Sequence, residues 1–176
     1  MDWYESVFEV IDMRSFSNLW YWIALAVFWS SVSHWVLGVP HDMIMRARRE
    51  NGGQAMSDLH DLIRINVNRI TYIADVSGSW LFLFGSTALT MLALTAFVYD
   101  VEFSQAVFLM VFPFCLLVLL TGWTARKIHR NNERGQALIR RLNRHRQFTQ
   151  LLGVVSIFIT AMYGMYQNLY VGPFGF

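Results

Sequence analysis

The sequence contains a single cysteine, Cys115, and three prolines among 176 residues. One cysteine cannot close an internal disulfide or build a cysteine-based zinc or iron–sulfur site. Lying inside an apolar run, Cys115 reads as a small packing residue. Charge is also scarce: 15% of residues are Asp, Glu, Lys or Arg, against about 25% in ordinary soluble domains. The scarcity is local. Residues 15–41, 76–99, 103–125 and 147–176 contain no Asp, Glu, Lys or Arg, and each stretch is at least 23 residues long. A bilayer core of ~30 Å needs about 20 helical residues. A soluble domain, a disulfide-rich module and a disordered chain are therefore excluded.

These runs also lack what transport chemistry needs. Pumps and ion-coupled transporters keep carboxylates, lysines or arginines within their spans. Here His34 and Cys115 are the only such groups at membrane depth, which argues against a proton relay. No Ser–His–Asp set, catalytic carboxylate pair, nucleophilic cysteine, Gly-rich phosphate loop or Cys-pair metal pattern can be assembled. An enzyme is not expected. No low-complexity segment or internal repeat is visible.

What is present predicts an all-α integral membrane protein, a four-helix bundle of two helical hairpins with cytoplasmic stems. The expected spans are residues 17–39, 77–98, 104–124 and 149–170. Residues 2–13 read as a short amphipathic helix on the outer membrane surface. Trp3, Tyr4, Val7, Phe8 and Ile11 share one face, and Asp2, Glu5, Glu9 and Asp12 the other. Four acids and no base in residues 1–13 do not make a secretory leader, so the first span is expected to be retained. Ser17 is the expected N-cap of that span. Gly38-Val39-Pro40 should interrupt it, and a short basic helix with Arg46, Arg48 and Arg49 should follow. A helix from Ser57 is expected to run on into the second span. Pro113 predicts a kink in the third. Residues 131–135 predict a turn into a return helix with Leu138, Leu142 and Phe148 on one side and Arg140, Arg141 and Arg144 on the other.

The orientation follows from the basic residues. Loops 42–75 and 126–146 hold thirteen of the fourteen Lys and Arg. Basic loops stay cytoplasmic. Both termini are thus expected outside, in the periplasm for a bacterial inner membrane. Trp20, Trp22, Tyr99, Tyr166 and Tyr170 fall at the outer ends of the runs, and Trp35, Trp80 and Trp123 at the inner ends, as interfacial aromatics should.

Several residues stand out as sites. Ala26, Ser30, Ser33, His34, Leu37 and His41 share a small, polar face expected to look into the bundle. His34 has two readings: a haem or quinone ligand, which for a two-histidine haem needs a second chain, or a hydrogen-bonded interhelical residue. No cofactor is called for by the sequence itself. His41-Asp42 and Asp58-Leu59-His60-Asp61 use metal-ligand residue types but match no strong spacing, and no metal site is predicted. Ser156, Thr160, Gly164 and Asn168 form a stripe on the fourth span, and Ser79, Ser86 and Thr90 one on the second. Close helix packing is the default for both, with a homo-oligomeric pore as the alternative. Arg126, Lys127, Arg130, Arg140, Arg141 and Arg144 suit anionic lipid head groups or an acidic cytoplasmic protein. Without a recognition fold, nucleic acid is not a partner.

The string Asp2-Trp3-Tyr4-Glu5-Ser6, Ile11-Asp12, Phe16-Ser17-Asn18-Leu19-Trp20-Tyr21-Trp22, His34-Trp35 and Gly38-Val39-Pro40-His41-Asp42 resembles a small family of proteobacterial membrane proteins. Its members sometimes carry the label "component of SufBCD complex", the iron–sulfur cluster assembly machinery. No site residues come with that resemblance. With one cysteine the chain cannot hold a cluster, so the resemblance implies a membrane anchor or docking partner. The expected function is accordingly a non-catalytic inner-membrane accessory protein.

Overall fold

The computed structural model describes residues 15–50 and 53–170. The interfacial helix expected at 2–13 lies outside them. The fold is all-α apart from one minimal hairpin. A 3-10 turn at Ser15–Ser17 leads into α1 (Leu19–His34), the strands β1 (Trp35–Val36) and β2 (Val39–Pro40), and then α2 (His41–Glu50), α3 (Gln54–Phe97), α4 (Glu102–Asn131) and α5 (Gly135–Tyr170). Helices α3, α4 and α5 are each long and apolar enough to cross a membrane.

Helix α1 is shorter than the 17–39 span expected. It has 16 residues, ~24 Å of helix. Its N-cap is Asn18, whose side chain accepts a hydrogen bond from the Trp20 amide at 3.0 Å. Ser17, the expected cap, instead donates to the Asn168 side chain at 2.8 Å. The helix stops at His34 because the next six residues form a tight hairpin, not a kinked continuation. Trp35 pairs with Pro40 and Val36 with Val39. The two loop residues, Leu37 and Gly38, have φ of 52° and 76°, the paired positive angles of a two-residue hairpin turn. Proline holds Val39 extended. A Cβ at Gly38 would come within 3.0 Å of the Asn66 amide nitrogen, which itself donates to the Gly38 carbonyl at 3.3 Å.

Helix α3 runs unbroken for 44 residues, so the stem helix and the second apolar run are one element of ~66 Å. Helix α4 also continues through Pro113 as one helix. Asn132 and Gly135, both at positive φ, turn the chain into α5.

The largest buried cluster sits at the charged end of the helices. The hairpin contributes Val36, Leu37 and Val39; α2 adds Ile44 and Ala47; Leu59, Ile63 and Val67 come from α3; Ala125 and Ile128 from α4; and Leu138, Ile139 and Leu142 from α5. Leu62 and Ile70 pack partly against it. Among the apolar segments, α1, α4 and α5 are drawn together, and α3 rejoins α4 at its C-terminal end, where Ala96 is buried and Phe97 meets Phe108. Residues 79–88 of α3 are all exposed.

Two pairings place α1 beside α5. A Cβ at Gly153 would lie 2.9 Å from the Trp29 ring, and one at Gly164 would lie 3.2 Å from the Trp22 ring. Along α4, Phe16 donates its amide to Glu102 at 2.9 Å, Tyr21 donates its hydroxyl to the Ala106 carbonyl at 3.1 Å, and Phe28 meets Phe114 edge-on. The buried residues of α1 are therefore Leu25 and Trp29. Of the small, polar face, Ala26, Ser30 and His34 are exposed, contrary to expectation, whereas Ser33 and His41 are half-buried and Leu37 is buried. Glycine and hydroxyl positions on α5 make a groove, and large rings fill a groove better than small side chains do.

Candidate functional site

Polar groups converge where the apolar run of α1 meets the hairpin. Helix α1 brings Ser30, Ser31, Ser33 and His34, the hairpin brings Trp35, and α5 brings Arg146. Together they line an open recess of about 440 Å³. His34 is exposed, with the Trp35 ring edge-on to it at 6.1 Å. Arg146 donates from Nη1 to His41 Nε2 at 2.7 Å. A guanidinium has only donors, so His41 accepts and keeps its own proton on Nδ1. Burial first, then the charges of Arg146 and His34, hold the His41 imidazole below its ordinary pKa, with Asp42 opposing.

On the other side of Trp35 lies a second cavity, of about 280 Å³, where Leu37 and Gly38 face Asn66, Arg69, Thr121, His145 and Thr149. Thr124 donates its hydroxyl to the Leu120 carbonyl at 2.8 Å, leaving its oxygen to accept from His145 Nδ1 at 3.2 Å. His145 is buried, and burial pushes its imidazole below the ordinary value. Sequence reasoning passed over both Arg146 and His145. Their signal was position alone: they are the last polar pair before the charge-free run of α5.

The metal-ligand types of the first loop do not meet. His41 goes to Arg146, and His60 Nε2 accepts the Gly135 amide at 2.8 Å, tying α3 to the start of α5. Among the described residues no group of three or more His, Cys, Asp or Glu could hold a metal.

The α5 stripe is buried at Ser156, Thr160 and Gly164 and extends inward to Gly153 and Thr149. Asn168 is exposed but bonded to Ser17. The α3 stripe lies elsewhere: Ser79, Ser86 and Thr90 are exposed, and Ser86 and Thr90 bond back to their own helix. Within one chain this stripe packs no helix.

The six stem cations separate into three groups. Arg130, Arg140 and Arg144 are exposed and have no ion-pair partner among the described residues. Arg126 reaches Asp75 at 3.5 Å, and Lys127 sits 4.7 Å from the centre of the Trp123 ring. Arg141 does not join the free basic face. It holds Glu133 through two hydrogen bonds, one of 3.0 Å, with both side chains largely buried. Phe148, expected with Leu138 and Leu142 on the packed side, is 52% exposed.

The Arg141 bonds hold the Glu133 carboxyl below its usual range, against the opposing effect of burial. A carboxylate with a depressed folded pKa adds stability above its unfolded pKa and loses it as pH falls through the folded value. Arg141→Gln is thus expected to weaken the stem by about 1–2 kcal/mol near neutral pH. It should also flatten the loss of stability that the wild type shows below roughly pH 4.5. Urea unfolding of both proteins in detergent across that range checks it; parallel pH profiles would show that the pair is thermodynamically idle.

Comparison of the chain with protein-family models, with curated proteins and with solved structures finds no match in any of the three.

Proposed function

We propose that this chain is a four-span accessory protein of the bacterial inner membrane that docks an acidic cytoplasmic assembly on its basic stem. The observation that carries the reading is the division of labour among the cations. Arg141 and Arg146 are engaged internally, whereas Arg130, Arg140 and Arg144 stand free on a stem with its own buried core. A packed stem is a rigid platform, and free arginines on it are recognition groups. Four spans are supported by the register of α1, which runs beside α4 from Ala106 to Phe114. The thirteen-to-one distribution of basic residues supports a cytoplasmic stem, with both termini outside. The iron–sulfur assembly machinery named by the family resemblance is the proposed partner class.

The test is recovery of partners from membranes with wild type and with an Arg130→Gln, Arg140→Gln, Arg144→Gln triple variant, which spares the structural Arg141. At ~1 kcal/mol per cation, the triple change should weaken docking roughly a hundredfold. Raised salt should mimic it. Identical partners recovered from both proteins at low salt would end the docking proposal.

A further inference from the structure

The recess at the end of α1 is lined by one permanent charge, Arg146, and by no acid. Arginine stays protonated at any relevant pH. Arg146 is half-buried, yet among the described residues no acid lies within ion-pair distance of it. Among the described residues its hydrogen-bond partner is His41. The Arg146 Nε is also buried without a hydrogen-bond partner among the described residues. A partly buried cation left uncompensated is costly. The other polar groups of the recess are His34 and three serine hydroxyls, which can all donate. The missing component is an anion bearing several acceptor oxygens.

The position of the recess says where that anion comes from. Trp35 forms one wall and is 55% exposed. Arg146 is the last charged residue before the uncharged run of α5. A tryptophan at the edge and an arginine one step below an apolar layer mark a lipid–water boundary. Basic pockets between membrane helices at that level take lipid head groups, and about 440 Å³ is within the range of ligand sites.

We infer that the recess formed by Ser30, Ser33, His34, Trp35 and Arg146 is a binding site for the phosphate head group of an anionic phospholipid. Arg146 supplies the fixed charge, while His34 and the serines complete the donor set. The inference rests on the proposed membrane placement only for the depth of the recess. It is separate from the docking face, which Arg130, Arg140 and Arg144 form.

The test uses the purified full chain in zwitterionic detergent, with thermal unfolding followed as phosphatidylglycerol, phosphatidylcholine or inorganic phosphate is added. Phosphatidylglycerol should raise Tm by about 5 °C, and phosphatidylcholine should not. Arg146→Gln should lose more than half of that rise. The Arg140→Gln, Arg144→Gln double variant should keep it, which separates this site from the docking face. Ser30→Trp, which fills the recess from an exposed position, should also abolish the rise and serves if Arg146→Gln does not fold. An undiminished rise in Arg146→Gln or Ser30→Trp would overturn the site. An equal rise with inorganic phosphate would overturn the lipid as its ligand.

Discussion

Gly153→Leu is expected to loosen α1 from α5 and to lower stability by about 2–3 kcal/mol, the upper end of the cost of overpacking. At Gly153 even a Cβ would lie 2.9 Å from Trp29 Cε3 and 3.3 Å from Cδ2. The indole is 3% exposed and has no open side to move into. Gly164→Leu should follow the same pattern, since its Cβ would meet the Phe16 ring at 3.0 Å and Trp22 at 3.2 Å. Gly78→Leu is the control. Nothing lies within 4 Å of its Cβ position, and exchanging glycine for a good helix former in an open helix should be neutral or slightly stabilising. Thermal unfolding in detergent, followed by tryptophan fluorescence, compares the three. Equal Tm values for Gly153→Leu and Gly78→Leu would show that α1 is not held by this contact.

Gln105→Leu should come next in effect, with a loss of about 2 kcal/mol. Gln105 is 1% exposed and sits at the opposite end of the helices from the stem. Its amide donates to the Ala96 carbonyl at 2.9 Å and to the Asp100 carboxylate at 2.7 Å, and its oxygen accepts from Gln167. One side chain thus fastens the α3–α4 turn, where Asp100 has φ of 55°, to the C-terminal part of α5. Leucine keeps the volume and removes all three bonds. Tyr99→Leu, at a neighbouring position that is 74% exposed, should change stability by less than about 0.5 kcal/mol. If the two variants unfold together, the hub contributes nothing beyond its packing.

The two variants act at opposite ends of the same problem: how helices that are apolar all round choose partners. Long apolar runs were plain in the sequence, and so was the continuity of α3, because Leu59, Ile63 and Val67 keep helical spacing right up to the uncharged run. The groove on α5 was legible at Ser156, Thr160 and Gly164, where small residues recur at helical spacing. Its inner continuation at Gly153 was not, since one glycine among leucines and valines carries no period. For α1, hydrophobicity gave no direction at all. Its polar residues suggested an inward face, but Trp29 and Leu25 took that place and left His34 at the rim of the recess.

The sequence by itself determined the all-α class, the four uncharged runs and the segregation of basic residues into two loops. Those are properties of local composition: ionised side chains are expelled from apolar layers whatever their neighbours are. Only the tertiary structure decided which cations are free. Arg141 closes on Glu133 eight positions earlier, across a turn set by two positive-φ residues. Arg146 reaches His41 over 105 positions. It also decided that residues 35–40 fold back as a hairpin, whose Gly38 carbonyl accepts from Asn66 of a distant helix. A pairing across such separations depends on how rigid elements dock, and no spacing along the chain records it.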